Sequence, residues 1–245
     1  MDSLSIKLER WSAWAPGVES EADWAKWAAG HLPIADSHVL PDVGFLKSQF
    51  RRRLSYLSKM TLKVAHDCIQ DSAPVRTIFA SRHGELSRTT ELLLDLAKGV
   101  PISPTGFSMS VHNTGAGLYA ISNRDQSAST AISAGLDTLE AAFMEAVSLL
   151  ASNRAKQVML VIADEPLPEP YHQFAVGREF SFAAAFLLGS GNDGKTISLS
   201  MANRTGTKES TEQHGLLFLR FLLKEEMNLV IQGQRLTWIW TANVD

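Results

Sequence analysis

Between Ser127 and Val147 the chain reads SASTAISAGLDTLEAAFMEAV. A short strand-like stretch is followed by a turn at Gly135 and then by Leu139, Ala142, Phe143, Ala146, Val147 and Leu150, which trace the buried face of a helix. Asp137 and Glu140 fall at the start of that helix, where negative charge complements the dipole. Similar patterns recur along the chain. In FRRRLSYLSKMTLKVAHDCIQ, Leu54, Leu57, Val64, Ala65 and Cys68 repeat at helical spacing. Val75 to Ser81 predicts a strand, and Thr89 to Gly99 a helix closed by Lys98 and Gly99. QVMLVIAD, from Gln157 to Asp164, predicts a near-continuously apolar strand. Phe180 to Gly189, Thr196 to Asn203 and Arg235 to Ala242 predict further strands, and a helix is expected from about Thr211 to Glu226. Buried strands alternating with helices argue for an α/β layered sheet.

Two segments break this rhythm. Ser103, Pro104, Thr105 and Gly106 have the composition of a type I turn. Beyond them Phe107, Met109 and Val111 alternate with Ser108 and Ser110, which predicts a strand with one apolar and one polar face. The longest irregular segment is DEPLPEPYHQFAVGRE, and long loops in compact domains are often functional. No internal repeat, linker or second boundary is visible, so residues 1–245 are expected to form a single domain.

Composition narrows the function classes. A formal net charge of −3 gives no basic footprint for nucleic acid, and the run Arg51 to Arg53 is short. GLLFLRFLL, the longest apolar run, is interrupted by Arg220 and falls far short of the roughly 20 residues a membrane span needs. The N-terminus MDSLSIKLERW lacks an apolar export signal, and a lone cysteine fits a reducing cytoplasm. That cysteine, Cys68, falls in an apolar helical stripe, where a thiol behaves as a small hydrophobe with a raised pKa. His214, at the start of an apolar helix, is expected to be a capping or surface residue. No metal and no cofactor are expected.

The segments RRRLSYLSKMTLKVAHDCI, IFASRHGELSRTTELL, PISPTGFSMSVHNTGAGLYAI, STAISAGLDTLEAAFMEA and VMLVIADE, in this order, resemble the N-terminal half of a β-ketoacyl-(acyl carrier protein) synthase. The similarity runs from about Arg51 to Gly189, and ISPTGFSMSVHN, with its Asn113, is the more specific part. Within that superfamily the chain most resembles the short ketosynthase-like subunits of aryl polyene and related pathways, in which one partner acts as a chain-length factor. The resemblance implies a thiolase-like α/β/α layered fold, truncated to the N-terminal half of a full ketosynthase.

An active relative places a nucleophilic cysteine at the strand-to-helix elbow, where the helix dipole lowers its pKa and backbone N–H groups form an oxyanion hole. In the most natural register Gly135 occupies that position; with a slip of one it is Ala134. Neither can be acylated. Independently of the family, a sharp turn at this point favours glycine. Active relatives also need two histidines from their C-terminal half. NRTGT, Asn203 to Thr207, has Asn203 where one would stand, and His172 and His214 match neither motif.

The resemblance therefore implies a catalytically silent chain-length factor, paired with a full-length ketosynthase as a heterodimer and meeting acyl carrier protein only indirectly. It implies that the segment before the elbow lies at the interface and closes the partner's acyl channel. Gly106 stands where ketosynthases commonly carry a bulky aromatic at the channel floor. Phe107, Met109 and Asn113 are then candidate interface or channel residues, and Thr89 a candidate wall residue. Two other classes are carried. Ser133, His112 and Asp137 or Asp164 offer the groups of a serine hydrolase, although the elbow is not G-x-S-x-G. A homodimeric binding or scaffold protein would use the fold alone.

Overall fold

The computed structural model describes residues 4–69, 73–191, 194–204 and 209–243. The chain opens with strand β1 (Leu4–Trp14) and helix α1 (Glu21–Ala28). Ser20 caps α1 by accepting the Asp23 N–H, and Asp23 returns the bond to the Ser20 N–H in a capping box. Trp24 of this helix is buried against β1, its indole N–H donating to the Ala13 carbonyl at 3.0 Å. The short α2 (Ser48–Arg51) leads into α3 (Tyr56–Ile69), which buries the predicted apolar stripe, Cys68 included. Next come β2 (Arg76–Ala80), α4 (Leu86–Ala97), α5 (Pro104–Ser108) and α6 (Thr114–Asn123).

The opening motif follows as expected: β3 (Ser129–Ile132), a turn at Gly135, and α7 (Thr138–Ala151) with Leu139, Ala142, Phe143, Ala146, Val147 and Leu150 buried. The remaining elements are β4 (Gln157–Asp164), β5 (Phe182–Gly189), β6 (Lys195–Asn203), α8 (His214–Leu223), β7 (Asn228–Gln232) and β8 (Leu236–Asn243). Between β4 and β5 the long irregular segment contains only a tight helical turn, Glu169–Phe174.

The strands form one sheet in the order β3-β2-β4-β5-β1-β6-β8-β7. β2 runs parallel to both β3 and β4, whereas every later pairing is antiparallel. Helices α1, α7 and α8 contribute to one core with Phe186 and Trp240, while α3 and α6 contribute to the other with Trp14 and Met159. β5 is buried at every position, as a strand covered on both faces must be. The architecture is therefore α/β/α, with a mixed rather than all-parallel sheet. The parallel trio β3, β2 and β4 delivers its three carboxyl ends to one edge, the place where open α/β sheets gather functional groups.

Three expectations are corrected. The alternating run from Phe107 to Val111 is no strand: α5 occupies Pro104–Ser108 and a turn follows. The Ser103 hydroxyl accepts the Gly106 N–H at 3.2 Å and Pro104 supplies the first helical residue, so the supposed turn is a helix start. His214 begins α8 as foreseen, but it is buried and bonded to a buried glutamate rather than exposed. Asn203 ends β6, while Thr205, Gly206 and Thr207 of NRTGT lie outside the described residues. Among the described residues no helix is long and apolar enough to cross a membrane.

Candidate functional site

The elbow is built where β3 runs out. The Ser81 N–H donates to the Ile132 carbonyl at 3.2 Å, which fixes the end of β3 against the end of β2. Gly135 then adopts φ 61°, left-handed backbone that glycine enters freely. A Cβ on it would lie 2.9 Å from Gln234 Oε1, the far end of a flexible side chain that can give way, so it is the backbone conformation that calls for glycine. Thr138 holds the turn from inside: its hydroxyl donates to the Gly135 carbonyl at 2.7 Å and accepts the Ala134 N–H at 3.0 Å. The turn alone accounts for the glycine, and no residue between Ser129 and Thr138 carries a thiol. The chain's one cysteine, Cys68, is buried in α3, where burial pushes its thiol up to about 12.

Beside the elbow the ends of β2 and β4 bring Asp164, read from the sequence only as a candidate triad acid, together with Arg82, His83, Glu165 and Glu179, which sequence reasoning missed. Asp164 accepts the Ser81 hydroxyl at 2.9 Å and the Arg82 N–H at 2.7 Å. Burial outweighs those bonds and raises its carboxyl to about 6. Glu165 is raised to about 7, again by burial first, with Ser87 donating to it and nearby carboxylates repelling its charge. Arg82 pairs with Glu179 at 3.0 Å, and Glu179 also accepts the Leu167 N–H at 3.0 Å, which anchors the long irregular segment. Burial and Arg82 hold His83 down at about 4, so it is neutral at physiological pH. A cavity of about 30 Å³ lies among Arg82, His83, Gly135, Asp164, Glu165 and His214. That is room for a water and far too little for an acyl chain.

The expected channel residues gather elsewhere, around α4 and α5. The Thr89 hydroxyl bonds to the Glu85 and Ser110 carbonyls at 3.0 and 3.2 Å, tying α4 to the turn after α5. Gly106 has ordinary helical backbone, and a Cβ there would sit 3.4 Å from Leu92 of α4. Met109 is half-buried against the second core. Phe107 is 65% exposed, and Asn113 is exposed at the start of α6. Leu93, Leu94 and Leu96 of α4, together with Val100, Val111 and Ile121, are exposed as well.

The hydrolase constellation does not assemble. Ser133 donates its hydroxyl to the Arg82 carbonyl at 2.9 Å, while His112 Nε2–H donates to the Ser81 carbonyl at 2.8 Å. With Nε2 spent on one backbone carbonyl and the Ser133 hydroxyl on another, no Ser133–His112 hydrogen bond pairs a nucleophile with a base. Asp164 is engaged by Ser81 and Arg82, and Asp137 accepts the Gln234 N–H.

Comparisons place this geometry among known proteins. Over almost all of its length the chain superposes on a chain of the ketosynthase ApeO in complex with its chain length factor ApeC from Xenorhabdus doucetiae. The TM-score is 0.84 at 30% identity, with 97% of this chain and 99% of that one covered. The ishigamide ketosynthase/chain length factor is similar at TM-score 0.66 and 15% identity, over 82% of this chain and 68% of that one. The ketosynthase from module 1 of the bacillaene synthase of Bacillus amyloliquefaciens FZB42 gives 0.60 at 13% identity, over 84% and 47%. These two more distant likenesses show the fold alone. No curated protein sequence matches significantly. Residues 24–241 match the family described as beta-ketoacyl synthase, N-terminal domain. With the elbow, the two-sided sheet and that match over most of its length, the chain belongs to the beta-ketoacyl synthase N-terminal domain family.

Proposed function

We propose that the chain is a catalytically silent ketosynthase-like subunit, a chain-length factor that pairs with an active β-ketoacyl-(acyl carrier protein) synthase and shapes its acyl channel. One observation carries the silent half of this reading. The only cysteine is Cys68, buried in α3 with its thiol raised to about 12, and the elbow offers glycine, alanine, serine and isoleucine. The conclusion does not depend on whether Gly135 or Ala134 matches the nucleophile position, since no register supplies a thiolate. The likeness over 97% of this chain to a chain from a ketosynthase and chain length factor complex supports the pairing half. In this reading Gly106, Phe107, Met109 and Asn113 contribute to the channel or interface, Thr89 lines the wall, and acyl carrier protein docks on the partner.

The test is chemical. The purified chain is incubated with acyl and malonyl thioesters of carrier protein, and intact mass and condensation product are followed. The expected result is no adduct and no product from the chain alone, with condensation restored when the cognate ketosynthase is added. An acyl adduct at the elbow, on Ser133 for instance, would overturn the silent reading. Labelling of Ser133 by a fluorophosphonate probe would revive the hydrolase.

A further inference from the structure

Behind the elbow, Glu140 of α7 is completely buried, with 0% exposure. A carboxylate so placed needs partners on both oxygens. Oε2 has one, His214 Nδ1 at 3.0 Å, and His214 is itself only 4% exposed. Glu140 Oε1 and His214 Nε2 are both buried without a partner. Asp137 lies three positions before Glu140, hence on the same side of the helical turn. One donor atom from each of Asp137, Glu140 and His214 lies within 4.8 Å of the other two. The β7–β8 turn packs tightly on this spot: the Gln234 N–H donates to Asp137 at 3.2 Å, and a Cβ on Gly233 would collide with Asp137 Oδ1 and the Trp238 indole nitrogen.

An ion pair alone does not account for the cluster: a water in the small cavity beside His214 could reach Nε2, but Glu140 Oε1 does not line that cavity and stays without a partner. The geometry points to a binding site for one divalent first-row cation of the zinc type, ligated by carboxylate oxygens of Asp137 and Glu140 and by a ring nitrogen of His214. Two carboxylates and a neutral imidazole balance the charge of such a cation, and zinc accepts this mixed nitrogen and oxygen set with water in the fourth place. Magnesium and calcium prefer all-oxygen cages of six or more ligands, which three side chains including an imidazole do not supply. Tetrahedral donors around zinc stand about 3.4 Å apart, so the three groups must close in by side-chain rotation, and Asp137, half-buried, is the least enclosed of the three. Bound there, the cation ties the first turn of α7 to the start of α8 and to the β7–β8 turn. Its role is to hold the elbow in position, independently of any chain-length role.

The full-length, untagged chain is stripped with a chelator and titrated with zinc chloride by calorimetry, and its metal content is measured after desalting. One equivalent of zinc is expected, accompanied by a rise in melting temperature. Asp137→Asn and Glu140→Gln are each expected to weaken binding by about tenfold or more. Asp137→Asn is the decisive variant, since it keeps an oxygen for the Gln234 N–H and leaves the Glu140–His214 pair in place. Absence of a stoichiometric site in the wild type would overturn the proposal. So would zinc binding unchanged by both variants, which would place the ion on surface histidines.

Discussion

At φ 61° Gly135 occupies backbone that an L side chain enters at a cost of about 1–2 kcal/mol, and the flexible Gln234 side chain lies above it. Gly135→Ala should therefore lower unfolding free energy by about that amount in urea titration. An unchanged midpoint would mean that the turn relaxes to another conformation. Cys68 makes the opposite demand, for an apolar environment. With its thiol near 12 and no exposure, it should resist iodoacetamide in the native protein and react fully only in denaturant. Asp164 and Glu165 bear on pH. Both carboxyls are raised by folding, from 3.8 to about 6 and from 4.5 to about 7, so each binds its proton more tightly in the native state. Their contribution to stability is complete below the unfolded pKa and is lost as pH rises through the folded value. Unfolding free energy should accordingly contain a component that declines between about pH 4 and pH 7. Asp164→Asn keeps an oxygen for Ser81 and Arg82 but removes the ionisation, so its curve should be flatter than the wild type's across that range. Parallel curves would show that Asp164 does not titrate there.

At the scale of elements, α5 carries the most direct consequence. Because Gly106 is helical and its Cβ direction meets Leu92 at an ordinary contact distance, Gly106→Ala should fold like the wild type. Gly106→Phe should press a ring against Leu92 of α4, at the position proposed for the channel floor. The product from the chain reconstituted with its ketosynthase and carrier protein should then be shorter, with the complex intact. Unchanged lengths from a complex that still condenses would remove Gly106 from the gate. The helix was hidden by a coincidence of pattern. Phe107, Met109 and Val111 alternate with serines as a half-buried strand would, yet the Ser103 cap and Pro104 start a helix whose side chains remain largely exposed. Where one face is deeply buried, as in α3 and α7, the period was plain. β1 is illegible in the sequence because Lys7, Glu9 and Arg10 break its apolar run, and β7 because five residues at a sheet edge carry little pattern. The buried charges were illegible for another reason. Arg82 meets Glu179 across 97 positions, and His214 meets Glu140 across 74, so each looks like a surface residue until the fold supplies its partner.

For the whole molecule the governing fact is what the fold leaves uncovered. Among the described residues β3 is an edge strand hydrogen-bonded only to β2, and α4, α5 and α6 expose Leu93, Leu94, Leu96, Phe107 and Ile121, the last two at 65% and 67%. Soluble monomers rarely present contiguous apolar patches of more than a few hundred Å², and an open strand edge invites pairing. If these surfaces form the proposed pairing face, covering them requires an interface of the obligate class, above about 2,000 Å² in total. Expressed alone, the chain should be poorly soluble or self-associate; co-expressed with its cognate ketosynthase, it should purify as a stable one-to-one complex. Phe107→Asp and Ile121→Asp test the face directly. Both side chains are mostly exposed, so the variants should keep the fold, measured by circular dichroism, while the complex dissociates in size-exclusion chromatography with light scattering. Retention of the complex by both variants would move the interface away from α5 and α6. A stable homodimer that ignores the ketosynthase would favour the scaffold reading, and a well-behaved monomer that recruits no ketosynthase would contradict the pairing altogether.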